Sequence, residues 1–481
     1  MVNRKFVKTN LILFLFVISL ISCSKKDDKN NDNNNLNITN NQNMHYNNIV
    51  NINRDIQIIA TLGKNGWENI PAFFNSGASI LRINGSHIKN EQMFVETLEN
   101  IKRVVKENHA NINSNILNDD TITNTNKTLK PLHFMYDTQG PEIRTRIINN
   151  NPEVDASYLL KKGDIIVVHT NINDEEIIFN GDLQRVENKA KEVHIGINYK
   201  EFIDDVSVNT LINIENRSVY AQVQEIDKEN NIVKLLITSI SNDSGDYCLT
   251  DRRHINLMGK TISQPILTDA DKRYIQLAID NGIKYFAISF VKNKADVEEV
   301  YNFIRSYIET KYQKYTDGIE IKGSPDESNC LNDNNCFQNY ITRIMEEINI
   351  IPKIENRQGV DNVEEILTGP CVHGVMVARG DLSSEITLEE VPYAKAKIIT
   401  ACKNNNQCNL SILATDVLES ITRQAIPSNN DLDTIASSLQ LGVDALMLSN
   451  ETAQGAKGAY AIQEIMKQIQ FYKNNNYLNN K

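Results

Sequence analysis

An α/β fold built on a (β/α)8 TIM barrel, with a small β-barrel lid domain inserted after its third strand, is what this sequence predicts. Two observations carry that expectation. Eight short, nearly continuous apolar runs recur along the chain, most of them separated by segments of helical period. Between residues 143 and 256 the rhythm changes to short alternating strands punctuated by turn residues. Periodicity alone leaves a doubly wound sheet as the second choice, because a count of eight does not close a barrel.

The eight runs are residues 56–62, 79–83, 132–137, 285–290, 349–355, 374–379, 409–415 and 445–450. Helical periodicity marks 270–281, 393–404 and 431–441, and Thr268 followed by Asp271 has the form of a capping box. Inside the insert, strands are expected at 164–170, 210–214, 221–226 and 232–239, with turns at Asn180-Gly181 and Asp243-Ser244-Gly245. The expected domains are therefore a barrel at 54–142 and 257–470, the insert at 143–256 and a tail at 471–481. A domain set into a loop at the carboxyl end of a barrel strand sits where active sites lie, as a lid would.

Acidic residues outnumber basic ones, 61 against 50, and the formal charge of -11 argues against general nucleic-acid binding. The seven cysteines (23, 248, 330, 336, 371, 402 and 408) include no C-x-x-C pair and fit no zinc spacing. Most read as reduced core or loop thiols, with a Cys330–Cys336 disulfide the one pairing left open. At the amino terminus, Arg4, Lys5 and Lys8 precede an apolar run at 11–21 that suits a secretory signal and is short for a membrane span. Leu20-Ile21-Ser22-Cys23 has the form of a bacterial lipobox, which would anchor the chain to a membrane through Cys23. Residues 24–53 are Asn-rich and structureless by composition. Similar Asn tracts interrupt 108–130 and 311–340, a habit of AT-rich apicomplexan genomes, where such a leader directs a protein to a plastid-type organelle. That route is the expectation for 1–23, with the anchored lipoprotein as its alternative.

The chemistry concentrates at strand ends. Lys353 and Glu355 close one apolar run, and Arg379-Gly380-Asp381 closes the next. A buried lysine beside buried carboxylates is unfavourable unless the groups pair or hold a metal. Glu355 and Asp381 are hard oxygen ligands suited to Mg²⁺ or Mn²⁺, and Lys353 is a compact cation for a developing anion. Earlier strand ends supply Arg82-Ile83-Asn84-Gly85-Ser86-His87 and Asp137-Thr138-Gln139-Gly140-Pro141-Glu142-Ile143-Arg144. Arg82 and Arg144 are fork-shaped donors for phosphoryl oxygens, and Asn84, Ser86, Asp137 and Thr138 carry the oxygens a monovalent cation needs. Metal-assisted chemistry on an anionic substrate is the reading these residues give by themselves.

From about residue 55 to about residue 468 the chain resembles the pyruvate kinase family, on the blocks RINGSH, DTQGPEIRT, PKIENRQGVDNVEEIL, VARGDL, LATDVLES and LMLSNETAQG in that order. The resemblance implies transfer of a phosphoryl group from phosphoenolpyruvate to ADP, giving pyruvate and ATP with the help of Mg²⁺ (or Mn²⁺) and K⁺. It implies that Lys353 stabilises the phosphoryl group in flight and the enolate oxygen, and that Arg82 clamps the transferring phosphate. Glu355 and Asp381 would hold the divalent metal, and Asn84, Ser86, Asp137 and Thr138 the potassium ion. Asn84, His87, Arg144 and Arg253 would lie toward the nucleotide. The substrate carboxylate would sit on the Gly380 and Asp381 amides, and Thr415 would lie on the enolate face that receives a proton. Glu142 matches the family's potassium-dependent form, and a homodimer through the barrel is the implied assembly.

The match departs in places. Gln139 replaces the lysine of D-T-K-G, Lys292 the arginine of A-S-F-x-R, and Asn450 the glycine of G-E-T. Ser383 follows Asp381-Leu382 where glycine is expected, Pro427-Ser428-Asn429-Asn430-Asp431 replaces P-T-R-A-E, and Glu215-Asn216 stands for an acidic pair of the insert. The α/β domain that usually follows the family's barrel has no counterpart in the sequence. Two other readings stay open: a catalytically weak relative, and a metal-dependent aldolase or lyase acting on a pyruvate enolate.

Overall fold

The computed structural model describes residues 56–108, 113–114, 131–147, 156–171, 190–215, 217–260, 262–316, 334–454 and 457–475. The leader with Cys23, the segment 24–53, the Asn180-Gly181 turn, Asn216, the Cys330–Cys336 pairing and the tail beyond residue 475 lie outside the described residues.

The eight apolar runs form eight parallel strands: β1 Gln57–Leu62, β2 Ile80–Asn84, β3 Pro131–Asp137, β4 Tyr285–Ile288, β5 Asn349–Ile354, β6 Gly374–Ala378, β7 Leu410–Ala414 and β8 Ala445–Leu448. Each pairs with the next, and β8 returns to β1 with Gln57 opposite Ala445 and Ala60 opposite Leu448, so the sheet closes. The doubly wound alternative is thereby excluded. One face of the strands, with Ile59, Ile80, Met135, Ile351, Met376, Ile412 and Met447, fills the barrel interior. The other face, with Ile58, Leu81, Phe134, Phe286, Ile350, Val377 and Leu446, packs against the helices. Burial on both faces is the reason the runs are continuous rather than alternating.

Helix starts follow local chemistry. Asn90 accepts from Met93 N at 2.9 Å to open Glu91–Glu107, whose buried residues Phe94, Leu98, Ile101 and Val105 recur at helical spacing. The capping box at Thr268 and Asp271 opens Asp269–Asp280. Asp271 does more than cap: its carboxylate also accepts from Gln139 N at 2.9 Å and Gly140 N at 3.2 Å, fixing the loop that leaves β3.

The insert has its own apolar core, including Ile166, Val168, Ile195, Val223, Leu235 and Ile255. Seven strands close around it in the order Val219–Asp227, Ile232–Ile240, Ile165–His169, Glu192–Ile197, Ile143–Arg146, His254–Leu257 and Leu211–Ile214. The chain enters through Ile143–Arg146 and leaves through His254–Leu257, and these two strands pair antiparallel. Among the described residues no helix is long and apolar enough to cross a membrane.

Two details differ from the sequence expectation. Cys402 and Cys408, expected as thiols, are joined in a disulfide with their Cα atoms 5.1 Å apart. Cys402 sits in the last turn of Glu390–Asn404 and Cys408 just before β7, and the turn held by Asn405 folds one back on the other. The final helix, Gly458–Asn474, also runs past the boundary expected at residue 470.

Candidate active site

Arg82, Asp137 and Lys353 come from three different strands and meet at the carboxyl rim of the barrel. Arg82 Nε donates to Asp137 Oδ2 at 2.6 Å, and its Nη1 to Thr61 Oγ1 at 3.1 Å. Lys353 Nζ lies 2.9 Å from Asp137 Oδ1 and 3.0 Å from Glu355 Oε1, and donates to Ser289 Oγ at 2.7 Å. Ser289 is held in turn by Thr138, with its hydroxyl donating to Thr138 O at 2.7 Å and its N–H to Thr138 Oγ1 at 3.0 Å. Phe290, with φ of 60°, turns its N–H onto Glu355 Oε2 at 2.7 Å. All four charged groups are buried.

Electrostatics divides them. Burial disfavours the Lys353 ammonium, yet Asp137 and Glu355 outweigh it and hold lysine above its usual range. Burial likewise raises Asp137, but Arg82 and Lys353 together pull it below the ordinary carboxylate range. Burial raises Glu355, Lys353 lowers it, and Asp381 and Asp137 raise it again, to about 7. Two cations against three carboxylates leave a negative surplus between Glu355 and Asp381. A hard divalent cation suits such a pair, because Mg²⁺ takes one or two carboxylates and completes its shell with substrate or water oxygens. Among the described residues no group of three or more His, Cys, Asp or Glu forms a full protein cage. The residues expected for a monovalent cation are neighbours: Asn84 lies opposite Asp137 in register, Thr138 follows it, and Ser86 N donates to Asn84 Oδ1 at 3.2 Å.

Across the rim, the helix Arg379–Glu385 begins directly after β6 and carries Gly380 and Asp381 in its first turn. Gly380 N donates to Thr415 Oγ1 at 2.9 Å. Thr415 and Asp416 hold φ of 64° and 51°, a region unfavourable for a β-branched side chain, and Arg379 donates to the Thr415 carbonyl. Two adjacent non-glycine residues held there are the kind of backbone that clusters at functional sites.

The insert supplies the third side. Glu142 receives Arg144 Nε at 2.7 Å and Gln139 Nε2 at 3.2 Å, and Arg253 pairs with Glu215 at 3.0 Å. His87 is held below the ordinary histidine range by burial and by Arg82 and Arg144, so it stays neutral among the cations. His254 Nδ1 stands 3.5 Å from Asp381 Oδ1, and Asn256 Nδ2 donates to Glu385 Oε1 at 3.1 Å. Sequence reasoning named neither Ser289 nor Glu385. Ser289 directly follows β4, inside the fourth apolar run, and could have been flagged as a polar strand end, whereas nothing local marks Glu385.

Glu385 yields a pH prediction. Burial raises its carboxyl, Asn256 lowers it and Asp381 raises it again, to about 8. A folded pKa above the unfolded one gives stability that is full below the unfolded value and is lost as pH rises through the folded value. Glu385→Gln keeps the acceptor for Asn256 and cannot ionise. It should match the native protein near pH 5 and exceed it at pH 8.5, by a few degrees in Tm. Equal Tm values across that window would sink the assignment.

Residues 53–314 and 332–465 match the model of the pyruvate kinase barrel domain. A pyruvate kinase of Bacillus licheniformis is 28% identical over 412 residues, covering 85% of this chain and 56% of the relative. The plastidial pyruvate kinase 3 of the Arabidopsis thaliana chloroplast is 28% identical over 326 residues, covering 68% of this chain and 45% of the relative. The crystal structure of a pyruvate kinase from Cryptosporidium parvum superposes with a TM-score of 0.63 at 25% identity, covering 86% of this chain and 68% of that one. The chain spans about half the length of the two sequence relatives. With barrel, insert and rim charges in one arrangement, and a family model that matches most of its residues, this chain belongs to the pyruvate kinase family.

Proposed function

We propose that the protein transfers the phosphoryl group of phosphoenolpyruvate to ADP, releasing pyruvate and ATP. The buried Arg82–Asp137–Lys353–Glu355 network facing Gly380 and Thr415 is the observation that carries this reading. Phosphoryl transfer needs positioning and neutralisation of charge more than a protein nucleophile. Arg82 would clamp the transferring phosphate and Lys353 would neutralise it and the enolate oxygen left behind. The Gly380 and Asp381 amides would seat the carboxylate, and Thr415 would face the carbon that takes the proton. His87, Arg144 and Arg253, with Asn84, would receive the nucleotide beneath the insert, which would act as a lid. Glu355 and Asp381 would hold Mg²⁺ or Mn²⁺, and Asn84, Ser86, Asp137 and Thr138 would hold K⁺. These cations, when bound, supply neutralisation of phosphate and carboxylate charge.

The test is an assay of the full chain with phosphoenolpyruvate, ADP and Mg²⁺, with and without K⁺, following pyruvate. Potassium-stimulated pyruvate formation supports the reading. A folded protein that binds phosphoenolpyruvate without turnover selects a catalytically weak relative, which the Gln139, Lys292 and Asn450 departures favour. Glu142→Lys should place an ammonium where the monovalent cation acts and reduce the response of the rate to added K⁺. An unchanged K⁺ titration would remove Glu142 from that role. A barrel-mediated homodimer is proposed as the assembly. For location, the leader at 1–23 and the likeness to a plastidial enzyme support a plastid-type organelle.

A further inference from the structure

Phe290 serves two spaces. Its N–H holds Glu355, and the residue also lines a cleft that none of Arg82, Lys353, Asp381 or Thr415 lines. One wall of the cleft, with Lys260 and Ile262, belongs to the segment by which the chain leaves the insert, and the other, with Lys292 and Arg357, belongs to the barrel.

The charge of this cleft is unlike that of the rim beside it. Arg82 and Lys353 share Asp137, Arg144 pairs with Glu142, and Arg253 with Glu215. Arg357 in the cleft is likewise paired, with Glu390. Lys292 Nζ instead donates only to the carbonyls of Ile262 at 3.2 Å and Gln264 at 3.5 Å, and Lys260 Nζ to Ser207 Oγ at 3.3 Å. Among the described residues neither lysine meets a carboxylate across a salt bridge. A positive surplus thus lines an open, partly apolar cleft in a protein whose formal charge is -11.

We propose that this cleft binds a small organic anion, a carboxylate or a phosphate monoester, whose apolar body lies on Phe290 and Ile262 and whose charge is shared by Lys260 and Lys292. The one carboxyl in the lining, Glu385, does not oppose this. Burial keeps it largely protonated at neutral pH, so it can donate a hydrogen bond to the ligand instead of repelling it. A ligand held by one lysine from the insert's exit and one from the barrel binds best when both lysines line the same cleft, as they do here. It would therefore favour this placement of the insert, by its differential affinity for the two arrangements.

The readout is binding, so the proposal stands or falls apart from the catalytic reading. The full chain is titrated calorimetrically with benzoate and with phenyl phosphate, two probes that separate the carboxylate source from the phosphate source. Saturable binding of at least one is expected, weakened at least tenfold by Lys260→Gln and by Lys292→Gln, retained by Lys292→Arg, and unaffected by Lys353→Met. Lys260 is exposed, so its variant folds independently of any role in the cleft; circular dichroism checks the others. Absence of saturable binding, binding that ignores both lysines, or binding lost in Lys353→Met would each overturn the site.

Discussion

Lys353→Met should lower the rate of the proposed phosphoryl transfer by about 10²–10³-fold, the range seen when one group stabilising a transition-state charge is removed. The geometry explains why so much is concentrated in one side chain. Among the described residues Lys353 Nζ is the single cation that touches both Asp137 and Glu355, and Ser289 accepts a further hydrogen bond from it. Methionine fills the same volume without charge. Among the described residues Glu355 then has no cation in contact, and Asp137 keeps only Arg82. Removing one partner of a buried ion network costs about 3–5 kcal/mol, so the variant should also unfold earlier in urea. Steady-state kinetics beside urea denaturation separates the two losses. A near-native rate in a folded variant would take Lys353 out of the chemistry.

Gly63→Ala should be the most destabilising single-methyl substitution at the rim. A Cβ at Gly63 would fall 1.7 Å from the carbonyl oxygen of Ala453, a backbone atom with no rotamer to retreat into. Ala453 ends the short helix Asn450–Ala453 that follows β8. That helix is stitched to β1, with Thr61 N donating to Thr452 Oγ1 at 2.9 Å and Thr452 Oγ1 to Thr61 O at 3.0 Å. Relief of the clash must therefore part the β1–β8 seam, and overpacking of this kind typically costs about 1–3 kcal/mol or more. Thr61 also receives Arg82, so the disturbance reaches the charged network. The expected result is a Tm several degrees lower and a reduced rate. A Tm within a degree of native would show that the close approach is absent.

How much of this was legible in the chain depends on where each signal originates. The barrel strands announced themselves because burial on both faces demands unbroken apolar runs, and the Thr268 capping box because its two partners are three residues apart. Lys353, Glu355 and Asp381 were legible as charges abutting such runs. The strand order within the insert was not, since Ile165–His169 pairs with both Glu192–Ile197 and Ile232–Ile240 across long intervals that no local pattern reports. Glu385 reads as an ordinary surface acid until Asn256, 129 positions earlier, covers it. The Cys402–Cys408 bridge follows from a turn at Asn405 that spacing alone does not dictate.

The seam between β1 and β8 also bears on how the molecule is made. Its first barrel strand finds one of its two neighbours only in the last, with Ile58 opposite Leu446. On a ribosome, then, every earlier strand can emerge and pair while β1 keeps an open hydrogen-bonding edge until β8 emerges. Such an edge is a template for unwanted pairing, and contacts so distant in sequence form slowly. The nascent chain is therefore most vulnerable to aggregation in the interval before β8 is released, and synthesis halted upstream of Ala445 would leave an unclosed sheet for chaperones to hold or proteases to clear.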